Sequence, residues 1–136
     1  DTAENLDADA TYVIDNHAVT VTDAAATAIA ATTLSAIGVA TNGVVTVSNA
    51  IAISGTQAEV TAALVTDSTK VIANTAVVTV TGTATVAEAN AIEAVTSGVV
   101  TATLATGNLA SFASLTGTGN AYTVTVNDAA NNSLAI

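Results

Sequence analysis

Six short stretches of the chain place β-branched residues in alternation along their length. They are Ala18-Val-Thr-Val-Thr22, Val44-Val-Thr-Val47, Ala50-Ile-Ala-Ile53, Ala76-Val-Val-Thr-Val-Thr81, Val99-Val-Thr-Ala-Thr-Leu104 and Tyr122-Thr-Val-Thr-Val126. β-Branched residues in strict alternation suit a pleated strand buried on one face, so each stretch predicts a short strand. Successive strand starts lie 26, 6, 26, 23 and 23 residues apart. A recurrence of that size is the mark of a repeat architecture.

Between the strands the pattern turns Ala-rich and takes helical spacing. Thr56-Gln-Ala-Glu59 precedes Val60, Ala63 and Leu64, and Thr85-Val-Ala-Glu88 precedes Ala89, Ile92 and Val95. Both open on Thr-x-x-Glu, in which the hydroxyl and the carboxylate satisfy each other's free backbone N–H at a helix start. Residues 27–37, with Ile29, Leu34 and Ile37, and residues 109–115, with Phe112, occupy equivalent places without the box, and Asn108 is placed to cap the latter. Gly43, Gly55, Gly82, Gly98, Gly107 and Gly119 fall at the junctions, where a turn or helix end requires positive φ. The pattern predicts an α/β repeat over residues 18–136: a solenoid of short strands alternating with short capped helices, each turn adding a strand to one growing sheet and a helix to the opposite wall. Residues 1–17 form a separate acidic segment. The alternative is an all-β, Ig-like sandwich, since six strands in about a hundred residues also fit that architecture.

Composition narrows the function. Ala, Thr and Val supply 77 of the 136 residues, and one Lys, no Arg, one His and no Cys remain. A net charge of −10 excludes nucleic-acid and anionic-membrane binding, which need clustered cations. With charged residues at 9% and apolar ones at 51%, the chain is expected to fold rather than stay disordered. Its uncharged spans, residues 24–58 and 94–127, are broken by Asn, Gly, Ser and Thr, so no membrane insertion is expected. Without cysteine there is neither a disulfide framework nor a thiolate metal site. The first residues show no charged-then-apolar leader.

The run from Thr79 to Gly98, Thr79-Val-Thr-Gly-Thr-Ala-Thr-Val-Ala-Glu-Ala-Asn-Ala-Ile-Glu-Ala-Val-Thr-Ser-Gly98, followed by Val-Val-Thr-Ala, resembles the Thr/Ala/Val-rich repeats of very large secreted surface and adhesin-like proteins of bacteria, cyanobacteria included. Ile53-Ser-Gly-Thr-Gln-Ala-Glu-Val-Thr-Ala-Ala-Leu64 and Tyr122-Thr-Val-Thr-Val-Asn-Asp128 are similar to the same repeats. The likeness implies an extracellular or cell-surface adhesin stalk, matrix or fibre. Many such proteins carry glycine-rich calcium nonapeptides, and this sequence has none.

Candidate chemistry is sparse. His17 stands in Asp15-Asn-His17 without a nucleophile-elbow motif, and no enzyme is expected. Asp1, Glu4, Asp7, Asp9 and Asp15 crowd the N-terminus, and Asp7, Asp9 and Asp15 form the candidate metal site, whose oxygen ligands suit Ca²⁺ rather than Zn²⁺. Solvated turn carboxylates account for the same residues without a cofactor. Asp23, Asp67 and Asp128 follow strand ends, where their side chains cap turns. Lys70, the sole lysine, is raw material for an intramolecular amide crosslink or an ordinary surface cation. With no Pro and one Lys to protect strand edges, the terminal segments 12–22 and 122–136 are expected to self-associate. The expected function is a structural subunit or repeat segment of an extracellular fibre, adhesin stalk or surface layer, assembled end to end by β-strand addition. The alternative is a calcium-dependent recognition module, for carbohydrate among others.

Overall fold

A computed structural model describes residues 1–8, with the backbone alone at 7 and 8, and residues 16–129. The elements in chain order are α1 (Ala3–Ala8), β1 (Val19–Val21), β2 (Ala28–Ala30), α2 (Ala31–Ala40), β3 (Val45–Val47), β4 (Ala52–Thr56), α3 (Gln57–Leu64), β5 (Val77–Ala84), α4 (Val86–Glu93), β6 (Val100–Leu104), α5 (Leu109–Phe112) and β7 (Ala121–Thr123). Every strand pairing is parallel. Five strands form one sheet in the order β2-β4-β5-β6-β7, and β1-β3 forms a second ladder that a single bridge, Thr46 to Ile72, carries one row further. Parallel neighbours need a crossover, and each crossover in the larger sheet runs through a helix. The fold is mixed α/β with parallel sheets that do not close into a barrel. The all-β sandwich is thereby corrected, because an Ig-like sandwich needs antiparallel strands and no helical crossovers.

The alternation read from the sequence positions the core. β6 buries Val100, Ala102 and Leu104 and exposes Thr101 and Thr103. Across the sheet, Ile29, Ile53, Val78 and Val100 stand in register as one buried row. Ala30, Ser54, Thr79, Thr101 and Ala121 form the matching exposed row. Val19, Val21, Val45 and Val47 of the second ladder are also buried, as are Leu34, Ile37, Val60, Leu64 and Ile92 on the helices. Small side chains therefore fill the space between two ladders and a helical wall, each buried Val or Leu contributing about 1.5–3 kcal/mol.

Both capping boxes form. Thr56 N–H donates to Glu59 Oε2 at 2.7 Å while Glu59 N–H donates to Thr56 Oγ1 at 3.4 Å, and Thr85 and Glu88 repeat the exchange at 2.8 and 3.3 Å. Asn108 caps α5, its Oδ1 accepting Ser111 N–H at 2.8 Å. The expectation of a helix from residue 27 is corrected, since Ala28–Ala30 pairs with Ala52–Ser54 as β2 and the helix begins only at Ala31. α2 has no side-chain cap, so nothing local marked its start.

The glycines divide into two groups. Gly82, at φ +79°, sits where the β5–β6 register shifts between Thr79 and Thr83, and this bulge fits the expected positive φ. Gly43, Gly55, Gly98 and Gly107 do not have the expected positive φ, and Gly43 and Gly98 answer a different need. A Cβ on Gly43 would lie 2.0 Å from the His17 carbonyl oxygen, and one on Gly98 would lie 2.1 Å from that of Ala76. Beside each glycine stands a buried threonine. Thr41 Oγ1 donates to His17 O at 2.9 Å and accepts Gly43 N–H, and Thr96 Oγ1 donates to Ala76 O at 2.6 Å and accepts Gly98 N–H. The same Thr-x-Gly-Val-Val-Thr string thus joins a chain segment to the one below it at two levels, through a contact that only a residue without Cβ permits.

Candidate functional site

Of the candidate metal ligands, Asp9 and Asp15 lie outside the described residues, and Asp7 falls in α1, where only the backbone is described. Among the described residues no group of three or more His, Asp or Glu gathers. Several other carboxylates have structural partners. Asp1 accepts Thr2 N–H at 2.8 Å and Asn5 Nδ2 at 2.9 Å. Asp23 Oδ2 accepts Ala3 N–H at 2.7 Å, and Asp128 Oδ2 accepts Leu109 N–H at 2.8 Å. Asp23 and Asp128 therefore cap the first residue of helices α1 and α5, some twenty positions earlier in the chain, rather than turns of their own. Negative charge at a helix start is favourable because the first N–H groups have no intrahelical acceptor.

Lys70 binds Asp67 on the surface, and the hydrogen bond from its ammonium, followed by its charge, holds the Asp67 carboxyl below the usual aspartate value of 3.8. The lysine is exposed, not enclosed in an apolar pocket with an acceptor amide. His17 is exposed and uses its backbone carbonyl to accept from Thr41.

The features that chemistry left unexplained lie instead at the ends of the ladders. β2 and β7 are the edge strands of the larger sheet. Beside β2 runs a groove of about 400 Å³ lined by Ala3, Glu4, Asp23, Thr27 to Ala30 and Thr33. At the other end, α5 has no buried residue, in contrast to α2, α3 and α4, and Leu109 is 57% exposed. Val124 and Val126 are also exposed there. Tyr122 packs against the end of the core, its hydroxyl and the Asn120 Nδ2 being buried without a partner among the described residues. Burial, with the Glu93 charge behind it, raises the Tyr122 phenol above its ordinary value of 10.0. The two ends differ in that α1 packs on α2 at the first, whereas α5 at the last buries none of its residues.

A second groove, of about 710 Å³, lies on the flank of the molecule. It was not legible as a motif, because it arises from a difference in connection length. Eleven residues join α2 to β4 and twelve join α3 to β5, so both connections have room for a row of the second ladder. Only six join α4 to β6, and that row is missing.

No family model, no curated protein and no solved structure matches the chain. No helix among the described residues is long and apolar enough to cross a membrane, in keeping with the expectation of no membrane insertion.

Proposed function

We propose that the chain is a structural repeat segment, an α/β solenoid that assembles end to end through β-strand addition in an extracellular fibre, adhesin stalk or surface layer. The observation that carries this reading is the pair of unlike sheet ends. Strand order in the larger sheet follows chain order, every pairing is parallel, and the strands at both edges have one side unpaired within the sheet. Each strand already offers its successor the edge that β7 leaves unpaired among the described residues, so the β2 edge of a second copy is complementary to it in direction and hydrogen-bond pattern. The exposed Leu109, Val124 and Val126 give that end apolar area to bury. The resemblance of the Thr79 to Gly98 run to giant surface-protein repeats supports the extracellular setting.

The test is sedimentation and electron microscopy of the purified chain over a range of concentrations. Head-to-tail oligomers that lengthen with concentration are expected. Ala28→Lys with Ala30→Lys at one edge, or Leu109→Glu at the other end, should shorten them without changing circular dichroism, since all three positions are exposed. A chain that stays monomeric throughout would defeat the proposal.

A further inference from the structure

The smaller ladder stops where it has a free side. Ile72 N–H donates to Val45 O and Ile72 O accepts Val47 N–H, both at 2.8 Å, so the polar groups of Ile72 face β3. In a parallel ladder the groups of the flanking residues then face away. Val71 N–H is taken by Ala63 O and Ala73 O by Ala76 N–H, but the Val71 carbonyl and the Ala73 amide have no partner among the described residues. That pair is the acceptor and donor that one residue of a further parallel strand uses. Val71 and Ala73 are buried residues, so their side chains already pack on the core while these two backbone groups face outward from the ladder.

The space for such a strand is present. The 710 Å³ groove lies on this side, its lining including Leu64, Lys70, Val71, Ile72, Val95 and Thr96. Ile72 is 39% exposed on its lip, an apolar side chain waiting for a neighbour on the ladder. The chain's own next row is absent because the α4–β6 connection is too short to supply it.

The sequence also contains a strand of the right kind. The two full members of the ladder are both Val-Thr-Val, and they pair with each other residue for residue, Val19 with Val45, Thr20 with Thr46 and Val21 with Val47. The same tripeptide recurs at Val124-Thr125-Val126, beyond β7, where all three residues are exposed and two hydrogen bonds to Gly107, Gly107 N–H to Thr125 O at 3.2 Å and Asn127 N–H to Gly107 O at 3.0 Å, hold it and must open before it can be donated. We infer that the flank groove is a strand-acceptor site and that its occupant is the Val124–Val126 segment of a second copy, added in parallel beside Val71–Ala73. This joins copies side to end, and a copy that donates the segment here does not bury Val124 and Val126 in the sheet-edge contact. It rests on the self-association reading only for the source of the strand.

The test uses the full chain and a fluorescently labelled synthetic peptide, Ala-Tyr-Thr-Val-Thr-Val-Asn, corresponding to residues 121–127. Saturable binding is expected, together with about tenfold or greater slowing of Ala73 amide hydrogen exchange as that N–H gains an acceptor. Ile72→Lys, and independently Val95→Lys in the same groove, should each weaken binding by about tenfold or more, because both put a charge into an apolar contact. Both side chains are partly exposed, and circular dichroism will show that either variant is folded. A peptide with Pro in place of Thr125 should not bind. The edge variant Ala28→Lys with Ala30→Lys should bind the peptide normally, so loss of end-to-end oligomers alone leaves this inference standing. Equal binding of a scrambled peptide, binding unaffected by both groove variants, or unchanged Ala73 exchange at saturation would overturn it.

Discussion

Thr96 donates its hydroxyl to the carbonyl oxygen of Ala76 at 2.6 Å, twenty residues earlier, in a site where the threonine is 8% exposed. The bond is one of a pair, since Thr41 and His17 make the same contact across twenty-four residues. Each ties the start of one strand to the segment beneath it, where a side chain on the neighbouring glycine would collide with the backbone. In a core built from Ala and Val, such fixed polar contacts set the distance between successive rows.

Thr96→Val should therefore destabilise the fold by ~1–3 kcal/mol, because it leaves the Ala76 carbonyl and the Gly98 amide short of a partner at a buried site. Thr96→Ser should retain most of the stability. Gly98→Ala should also cost ~1–3 kcal/mol, here from overpacking. Chemical denaturation of the three variants checks the set, and equal stability of the Ser and Val variants would show that the hydroxyl is not what matters.

The capping boxes provide a second, local measure. Thr56→Ala and Thr85→Ala should each lower stability by ~0.5–2 kcal/mol. Thr101→Ala, exposed on the sheet face, should stay within about 0.5 kcal/mol of the parent. Thermal melts that rank Thr101→Ala with the two cap variants would contradict this account of the helix starts.

Tyr122 gives a pH dependence with a definite sign. Its folded pKa is raised above the ordinary 10.0, so its contribution is fully present below pH 10.0 and is lost as pH rises through the folded value. Tyr122→Phe should be neutral or stabilising at pH 7, because it removes a buried hydroxyl with no partner among the described residues. Above pH 10.0 the parent should lose melting temperature faster than the variant. Parallel slopes for the two proteins would mean that the ring is not held at the core end.

Ala26 is the only described residue other than glycine with positive φ, at 63°. A left-handed alanine costs ~1–2 kcal/mol, and glycine returns part of that through its larger unfolded-state entropy. Ala26→Gly should therefore stabilise the turn before β2 by up to about 1 kcal/mol, measurable by denaturation. A destabilised variant would show that contacts of the Ala26 methyl outweigh the backbone strain.

What the residues reveal in order along the chain is local. The two Thr-x-x-Glu boxes and the Asn108 cap act between positions three apart, and the Val/Thr alternation sets one face of a strand against the other, so all were readable without a tertiary structure. β2 was not, because Ala28-Ile-Ala30 has little β-preference of its own and is a strand only beside β4. Nor were the roles of Asp23 and Asp128, which cap helices whose starts lie twenty and nineteen residues before them. The candidate calcium ligands Asp7, Asp9 and Asp15 drew attention through their proximity in the sequence, which says nothing about converging oxygens. Gly43 and Gly98 were read as turn glycines requiring positive φ, and the actual reason for them, a carbonyl about 2 Å from a would-be Cβ, exists only once two rows are stacked. The flank groove is the extreme case, since it is made by the six-residue α4–β6 connection lying beside a longer one. Sequence by itself determined the Val/Thr strands and the capped helices, because those preferences are settled within a few residues. Tertiary structure decided which edges are left open, because an open edge is defined by the neighbour that fails to arrive.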